Sequence, residues 1–308
     1  MNFQQLRIVR ETARRDFNLT EVANALYTSQ SGVSRHIRDL EDELGVELYI
    51  RKGKRLLGFT APGSELLPMV ERILSEVGNI KQLADHFANT DEGRLVIATT
   101  HTQARYTLPD IIGRFRQEFP KVHLELLQGT PAEISALVVD GDADVAIATE
   151  SLDSVPDLAT FPFRSWSHAV VVPRGHPLTT ADPLTLPALA AFPVITYHQG
   201  FTGRGRIDKA FEAAHLHPDI VLAALDADVI KTYVALGLGV GIIAEIAFDP
   251  ARDGALSLLH CPALESDNVT VLAVRRGRFL RNFALRFVQM CAPAVSEAEV
   301  RAATIPNA

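Results

Sequence analysis

The sequence predicts a chain in three parts: an all-α winged helix-turn-helix unit, one long linker helix, and an α/β unit built of two Rossmann-like subdomains. Three observations carry that expectation. Two short amphipathic helix patterns followed by a basic hairpin stand within residues 1–60. An apolar seam with alternating steps of four and three runs from Leu66 to Phe87. Beyond it strand and helix patterns alternate, which implies parallel sheets covered by helices on both faces. A length of 308 residues also exceeds the usual single-domain size.

Composition narrows the functions before any motif is read. Apolar residues make up 47% of the chain, ample for buried cores. No run approaches the ~18 consecutive apolar residues of a membrane span. The opening "MNFQQLRIVRE" lacks the apolar core of a secretion signal. A soluble, cytoplasmic protein without a membrane partner is expected. Cys261 and Cys291 stand alone and read as small buried hydrophobes. The net charge of −7 argues against nucleic acid until its distribution is considered. Residues 1–60 hold 10 Lys and Arg against 8 Asp and Glu, whereas residues 61–308 hold 20 against 29. A mildly basic front therefore joins an acidic body.

In "LTEVANALYTSQSGVSRHIRDLEDELG" the first helix is expected to start at Thr20, an N-cap type residue, and to bury Val22, Ala23 and Leu26. Tyr27, Thr28 and Ser29 break the pattern. The second helix carries Val33, Ile37, Leu40 and Leu44 as one apolar stripe. Its other face, with Gln30, Ser31, Ser34, Arg35 and Arg38, reads as free of carboxylates and suited to base edges and phosphates. Glu41, Asp42 and Glu43 at its far end are expected to point back toward the body. Next, "YIRKGKRLLGFT" places Arg51, Lys52, Lys54 and Arg55 around Gly53, a basic hairpin tip able to grip backbone phosphate. The expected DNA contacts are Ser29, Gln30, Ser31, Ser34, Arg35, His36, Arg38, Arg51, Lys52, Lys54 and Arg55. Any one piece would suit an ordinary solvated helix or hairpin; all three in succession favour a recognition helix with a wing.

In the linker, residues 61–89, the seam Leu66, Val70, Ile73, Val77, Ile80, Ala84 and Phe87 spans about three heptads, the length of a minimal coiled coil. It predicts a homodimer, which suits a palindromic DNA site. A composition change in "ANTDEG" sets a hinge at Asn89 to Gly93. Residues 90–308 then form the α/β unit, with subdomain I about 93–161 and 268–308 and subdomain II about 162–267. Ligands of such sheets sit beyond the C-terminal strand ends, against helix starts. Three of those ends lead into similar chemistry: "ATTHTQA", "AIATE" and "HQGFTGRG". Each threonine alone could be only a helix cap. Their recurrence favours a cradle of hydroxyls, an amide and helix-start N–H groups for a small anion such as sulfate or a metabolite carboxylate.

An enzyme is the main rival. The sequence has no GxSxG elbow, and "GLGVG" and "GRGRID" match the dinucleotide fingerprint poorly. No catalytic residue, metal or cofactor is assigned; His215, His217 and His260 with Cys261 read as scattered surface and loop residues. A transport-type binding protein would explain the cleft but not the basic helix pair.

The N-terminal helix-turn-helix, wing and long helix resemble the LysR-type transcriptional regulators. "TTHTQARYTLP", "FTGR" and "DADVIKTYVALGLGVGIIA" resemble the CysB/Cbl branch, activators of sulfur assimilation and cysteine synthesis. The likeness runs from Met1 to about Pro293. It implies a homotetramer built of dimers, acting on double-stranded promoter DNA with RNA polymerase, and an effector unit of the periplasmic-binding-protein type II kind. It further implies a cleft holding sulfate or a related anion through positions matching Thr100, Thr102, Gln103, Thr149 and Thr202, with Trp166 nearby. Acetylated serines, thiosulfate, sulfide and adenosine phosphosulfate are the other signals it implies. Gly205 departs from the branch, which usually has Ser there.

Overall fold

The computed structural model describes residues 1–53, 55–87, 92–265 and 268–304. The chain divides into two compact units, Met1–Asp85 and His86–Ala308.

The first unit opens with α1 (Phe3–Arg14), started by a capping box between Asn2 and Gln5. α2 (Leu19–Ala25) is capped by Asn18, whose side chain accepts from the Thr20 and Glu21 N–H groups. Thr20 is therefore inside the helix, and the expected start moves back: Asn is the stronger cap and lies closer to the first apolar residue. Tyr27 adopts a left-handed φ of 51° and turns the chain into α3 (Gln30–Leu44), which ends at Gly45 with φ 70°. β1 (Tyr49–Lys52) and β2 (Arg55–Phe59) pair antiparallel, Lys52 facing Arg55 across a tip where Gly53 takes a φ of 63°. Lys54 lies outside the described residues.

α4 (Ala61–Phe87) follows as one helix with Pro68 in its first part. Val33, Ile37 and Leu40 of α3 meet Leu6, Val9, Val22, Tyr49 and Leu56 in one core, and Val70 and Leu74 of α4 join it. The seam read from sequence is thus not one face with one role. Val70 is buried in this core, whereas Ile73 and Ile80 are exposed together with Met69 and Leu83. Each core Val or Leu contributes on the order of 1.5–3 kcal/mol by leaving water, so the beginning of α4 is held by its own unit. The Phe87 side chain and residues 88–91, which include the first part of the expected hinge, lie outside the described part of the structure.

The second unit holds two five-stranded sheets. In the first lobe the chain runs β3 (Gly93–Thr99), α5 (His101–Tyr106), α6 (Leu108–Glu118), β4 (Val122–Gln128), α7 (Pro131–Val139), β5 (Val145–Ala148) and β6 (Leu158–Trp166). The second lobe comprises β7 (His168–Pro173), α8 (Leu186–Ala190), β8 (Val194–Tyr197), α9 (Arg204–Ala213), β9 (Ile220–Ala224), α10 (Ala227–Ala235), β10 (Val240–Ala244) and β11 (Leu256–Leu259). The chain returns to the first lobe with β12 (Asn268–Arg275), α11 (Asn282–Cys291) and α12 (Glu297–Ala303). The sheet orders are β4-β3-β5-β12-β6 and β11-β7-β10-β8-β9.

Neither sheet is wholly parallel. β3 pairs parallel with β4 and β5, and β8 with β9 and β10, but β12, β6, β7 and β11 run antiparallel to their neighbours. The strands that carry the chain between lobes cannot follow the βαβ direction, which is why strand–helix alternation suggests more parallel pairing than exists. β6 pairs with β12 as far as Trp166, so the first crossing falls at Ser167 rather than near residue 162. Apolar layers cover both faces of each sheet. The last helix, α12, has a Ser296–Glu299 capping box and buries Val300 in the first lobe.

Candidate functional site

On the first unit, α3 and the hairpin enclose a groove of about 350 Å³, lined by Gln30, Ser31, Ser34, Arg35 and Arg38 on one side and Arg51, Gly53 and Leu56 on the other. Val33, Ile37 and Leu40 of the apolar stripe of α3 are buried, which turns the polar stripe outward, whereas Leu44 at the end of the helix is exposed. Gln30, Ser31, Arg35, Arg38, Lys52 and Arg55 are exposed, and Ser34 and His36 are partly so. Ser29 is the α3 N-cap; its Oγ accepts from the Gly32 N–H at 3.1 Å.

Two expectations about this face change. Asp39 reaches Arg35 at 3.8 Å one turn along, so a carboxylate does touch the face; with Arg35 84% exposed, the pair is solvent-screened and weak. Arg51 pairs with Glu41. Glu41 is buried, and its Oε1 also accepts from the Leu48 and Tyr49 N–H groups at 2.9 and 3.2 Å. Arg51 accordingly seats the hairpin on α3 while remaining exposed, beside the exposed Lys52 and Arg55. Tyr27, read from sequence only as part of the break between helices, is 97% exposed at the turn before α3.

In the second unit the six expected effector residues lie at or just beyond the ends of β3, β5, β6 and β8. Thr100 occupies the N-cap position of α5, yet its hydroxyl makes no capping bond. Thr102 and Thr202 bring their hydroxyls within 3.4 Å of each other, one from each lobe. Both are nearly inaccessible, as are Thr100, Gln103 and Trp166, while Thr149 is partly exposed. Thr202 has a φ of 43°, a strained setting for a β-branched residue. His168 Nε2 lies 3.0 Å from its carbonyl and fixes it there.

Thr270, absent from the sequence reading, joins the rest. Its Oγ1 lies 3.0 Å from Gln103 Nε2, 3.0 Å from Trp166 Nε1 and 3.2 Å from Thr149 Oγ1. The indole and amide nitrogens only donate, so Thr270 accepts from both and its single proton passes to Thr149. Thr149's own hydroxyl hydrogen is thereby directed outward. The buried Gln103 Oε1 has no protein partner, an acceptor suited to an N–H or O–H of a guest.

His168 supports the same wall. Asn268 Nδ2 lies 3.4 Å from its Nδ1, so the ring proton sits on Nε2 and donates to the Thr202 carbonyl. Burial holds its pKa down to about 4, and the ring is neutral. Trp166 packs edge-on against it, with ring centroids 5.0 Å apart. No signal in the sequence marks Thr270 or Asn268, which sit in an ordinary apolar strand pattern. The arrangement offers a small oxyanion neutral donors in a desolvated cleft.

The nearest approach to a metal-binding group among the described residues is His101, Asp226 and Asp228. Its carboxylates are already engaged: Asp226 caps α10, and Asp228 is bound by Tyr106, Arg105 and Lys231. His215, His217 and His260 join no such group. No helix among the described residues is long and apolar enough to cross a membrane.

Residues 3–64 match the family described as "Bacterial regulatory helix-turn-helix protein, lysR family", and residues 88–296 match "LysR substrate binding domain". The chain is 55% identical over 300 residues to the HTH-type transcriptional regulator SsuR of Burkholderia cenocepacia, covering 97% of each. It is 54% identical over 301 residues to the HTH-type transcriptional regulator cbl of Escherichia coli K12, covering 98% of this chain and 95% of that one. Among solved structures, the cofactor-binding domain of the Cbl transcriptional regulator superposes with a TM-score of 0.68 at 48% identity, over 70% of this chain and 95% of that one.

Proposed function

The chain belongs to the LysR family of bacterial transcriptional regulators, and from that premise we propose that it controls sulfur-assimilation, cysteine or sulfonate-sulfur genes in response to a small anion held in the cleft between its two lobes. α3 lies in the major groove of double-stranded promoter DNA, with Gln30, Ser31, Ser34, Arg35, His36 and Arg38 toward the bases or phosphates. Ser29 caps that helix beside the backbone, and the wing residues Arg51, Lys52, Lys54 and Arg55 flank it. The exposed stripe Met69, Ile73, Ile80 and Leu83 of α4 meets a second copy. Dimers assemble into a homotetramer that acts with RNA polymerase.

One observation carries the effector assignment: the buried Thr100, Thr102, Gln103, Trp166 and Thr202 and the partly exposed Thr149 converge as neutral hydrogen-bonding groups near strand ends, with the Thr149 proton freed by Thr270. Sulfate suits the donors, and an acetylserine would add a hydrogen for Gln103 Oε1. By linkage, an anion that prefers one setting of the lobes shifts the spacing of the DNA-reading helices.

Calorimetric titration of the full chain with sulfate, thiosulfate, O-acetylserine and N-acetylserine tests this, beside the Thr100→Val, Thr202→Val double variant. Saturable binding that the variant loses is expected. A ligand that binds yet leaves DNA affinity, footprint and bend unchanged would sink the regulatory link.

A further inference from the structure

Glu150 follows Thr149 directly at the end of β5, and no role in binding has been given to it. Its Oε1 accepts a hydrogen bond from the N–H of Gly203, the N-cap of α9. Its Oε2 is buried with no protein partner. A carboxylate from the first lobe thus rests on the helix start of the second, beside Thr202, where an incoming anion would find its backbone donor. Gly203 keeps that N–H approachable. It has a φ of 71°, and a Cβ there would lie 2.7 Å from both Asn268 Oδ1 and His168 Cε1.

Charge sharpens the conflict. Among the described residues, the charged group acting on this carboxylate is Arg206 from the first turn of α9; the neutral His168 of β7 lies beside its partner Gly203. Arg204, one residue past Gly203, is instead held by Asp208 at 2.7 Å and by the Tyr197 carbonyl. His101 of α5 approaches Asp226 and Asp228. Burial raises the Glu150 pKa, and the Gly203 N–H and Arg206 offset this only in part. A second anion beside an ionised Glu150 would raise it further by like-charge repulsion.

Building on the anion-cleft reading above, we propose that Glu150 is a tethered competitor for the effector: its carboxylate occupies the α9 start in the empty cleft, and a dianion takes that place only as Glu150 gains a proton. Effector affinity is then coupled to pH through a residue of the protein. The coupling favours monoanions and ligands carrying their own proton over fully ionised dianions.

Sulfate is the probe, because it stays a dianion across the range tested. The full chain is titrated calorimetrically with sulfate between about pH 6 and about pH 8.5, where uptake of one proton weakens binding up to about tenfold per pH unit as pH rises. Glu150→Gln and Glu150→Ala are expected to bind sulfate about tenfold tighter or more at the alkaline end, with a flat pH profile. Alanine removes the carboxylate without adding a donor. A flat wild-type profile, an unchanged slope in both variants, or weaker binding by both would overturn the proposal. Thr100→Val, Thr202→Val separates the two readings. Loss of sulfate binding in that variant, with Glu150→Gln behaving as wild type, rejects only the role of Glu150. Sulfate binding that survives it, or that no variant shows, rejects the anion cleft and this proposal with it.

Discussion

On α3, Arg35 is 84% exposed and its acidic neighbour lies 3.8 Å away in open solvent. In the cleft, Thr102 and Gln103 are each 1% exposed and no arginine or lysine is assigned to the anion. Both regions are read as binding negative charge, by opposite means. A surface that meets a polyanion needs mobile full charges, whose effect salt screens and whose binding releases counterions. A dry pocket for one small ion gains more from fixed neutral donors, because burying an unpaired cation in the empty state would be costly. Salt, pH and single-hydroxyl substitutions should therefore separate the two regions.

The largest effect is expected at Thr270. Thr270→Val leaves the Trp166 Nε1–H and the Gln103 amide without their acceptor, at a cost of about 2–4 kcal/mol in stability. Effector binding should be lost with it, while DNA affinity of the unliganded chain stays near wild type. Denaturant unfolding followed by the single tryptophan measures the first, and a loss under about 1 kcal/mol would mean water replaces the hydroxyl.

Next comes pH. The His168 pKa is held down to about 4 against an ordinary 6.5. The unfolded chain takes up this proton first as pH falls, so stability is full above about pH 6.5 and declines by up to about 3 kcal/mol toward pH 4. His168→Gln should flatten that decline in thermal melts; an unchanged profile would place the acid sensitivity elsewhere.

Smaller effects belong to the DNA face. Arg35→Ala should weaken specific binding by about 1–3 kcal/mol, the scale of a base-reading pair. Lys52→Ala should weaken all duplexes alike and make the salt slope shallower by about one. Anisotropy titrations on cognate and scrambled duplexes at several salt concentrations distinguish them. Equal, sequence-blind losses would reduce Arg35 to a phosphate contact, and the sulfate titration should register neither substitution.

The stripe of Val33, Ile37 and Leu40 was legible because helix period and burial coincide within a few residues. So were the hydroxyls at the strand ends, since a helix start after a strand is a local signal. Thr270 was not. It stands 167 positions from Gln103 and meets it only because β12 returns to the first lobe. Glu150 lay in a quoted motif, but its Gly203 partner is 53 residues away in the other lobe. The α4 seam misled for a different reason: one period served two surfaces, with Val70 turned into the helix-turn-helix core and Ile80 into solvent. Periodicity reports that a face is apolar and leaves open what covers it.

That exposed stretch of α4 also bears on gene dosage. A monomer keeps Met69, Ile73, Ile80 and Leu83 against water, so under the dimer proposed above the pairing equilibrium follows protein concentration by mass action. Promoter occupancy would then climb with roughly the square of the monomer level while pairing is incomplete, and become linear once every copy has a mate. A modest change in expression would act as a threshold on the regulon before any effector enters the cleft.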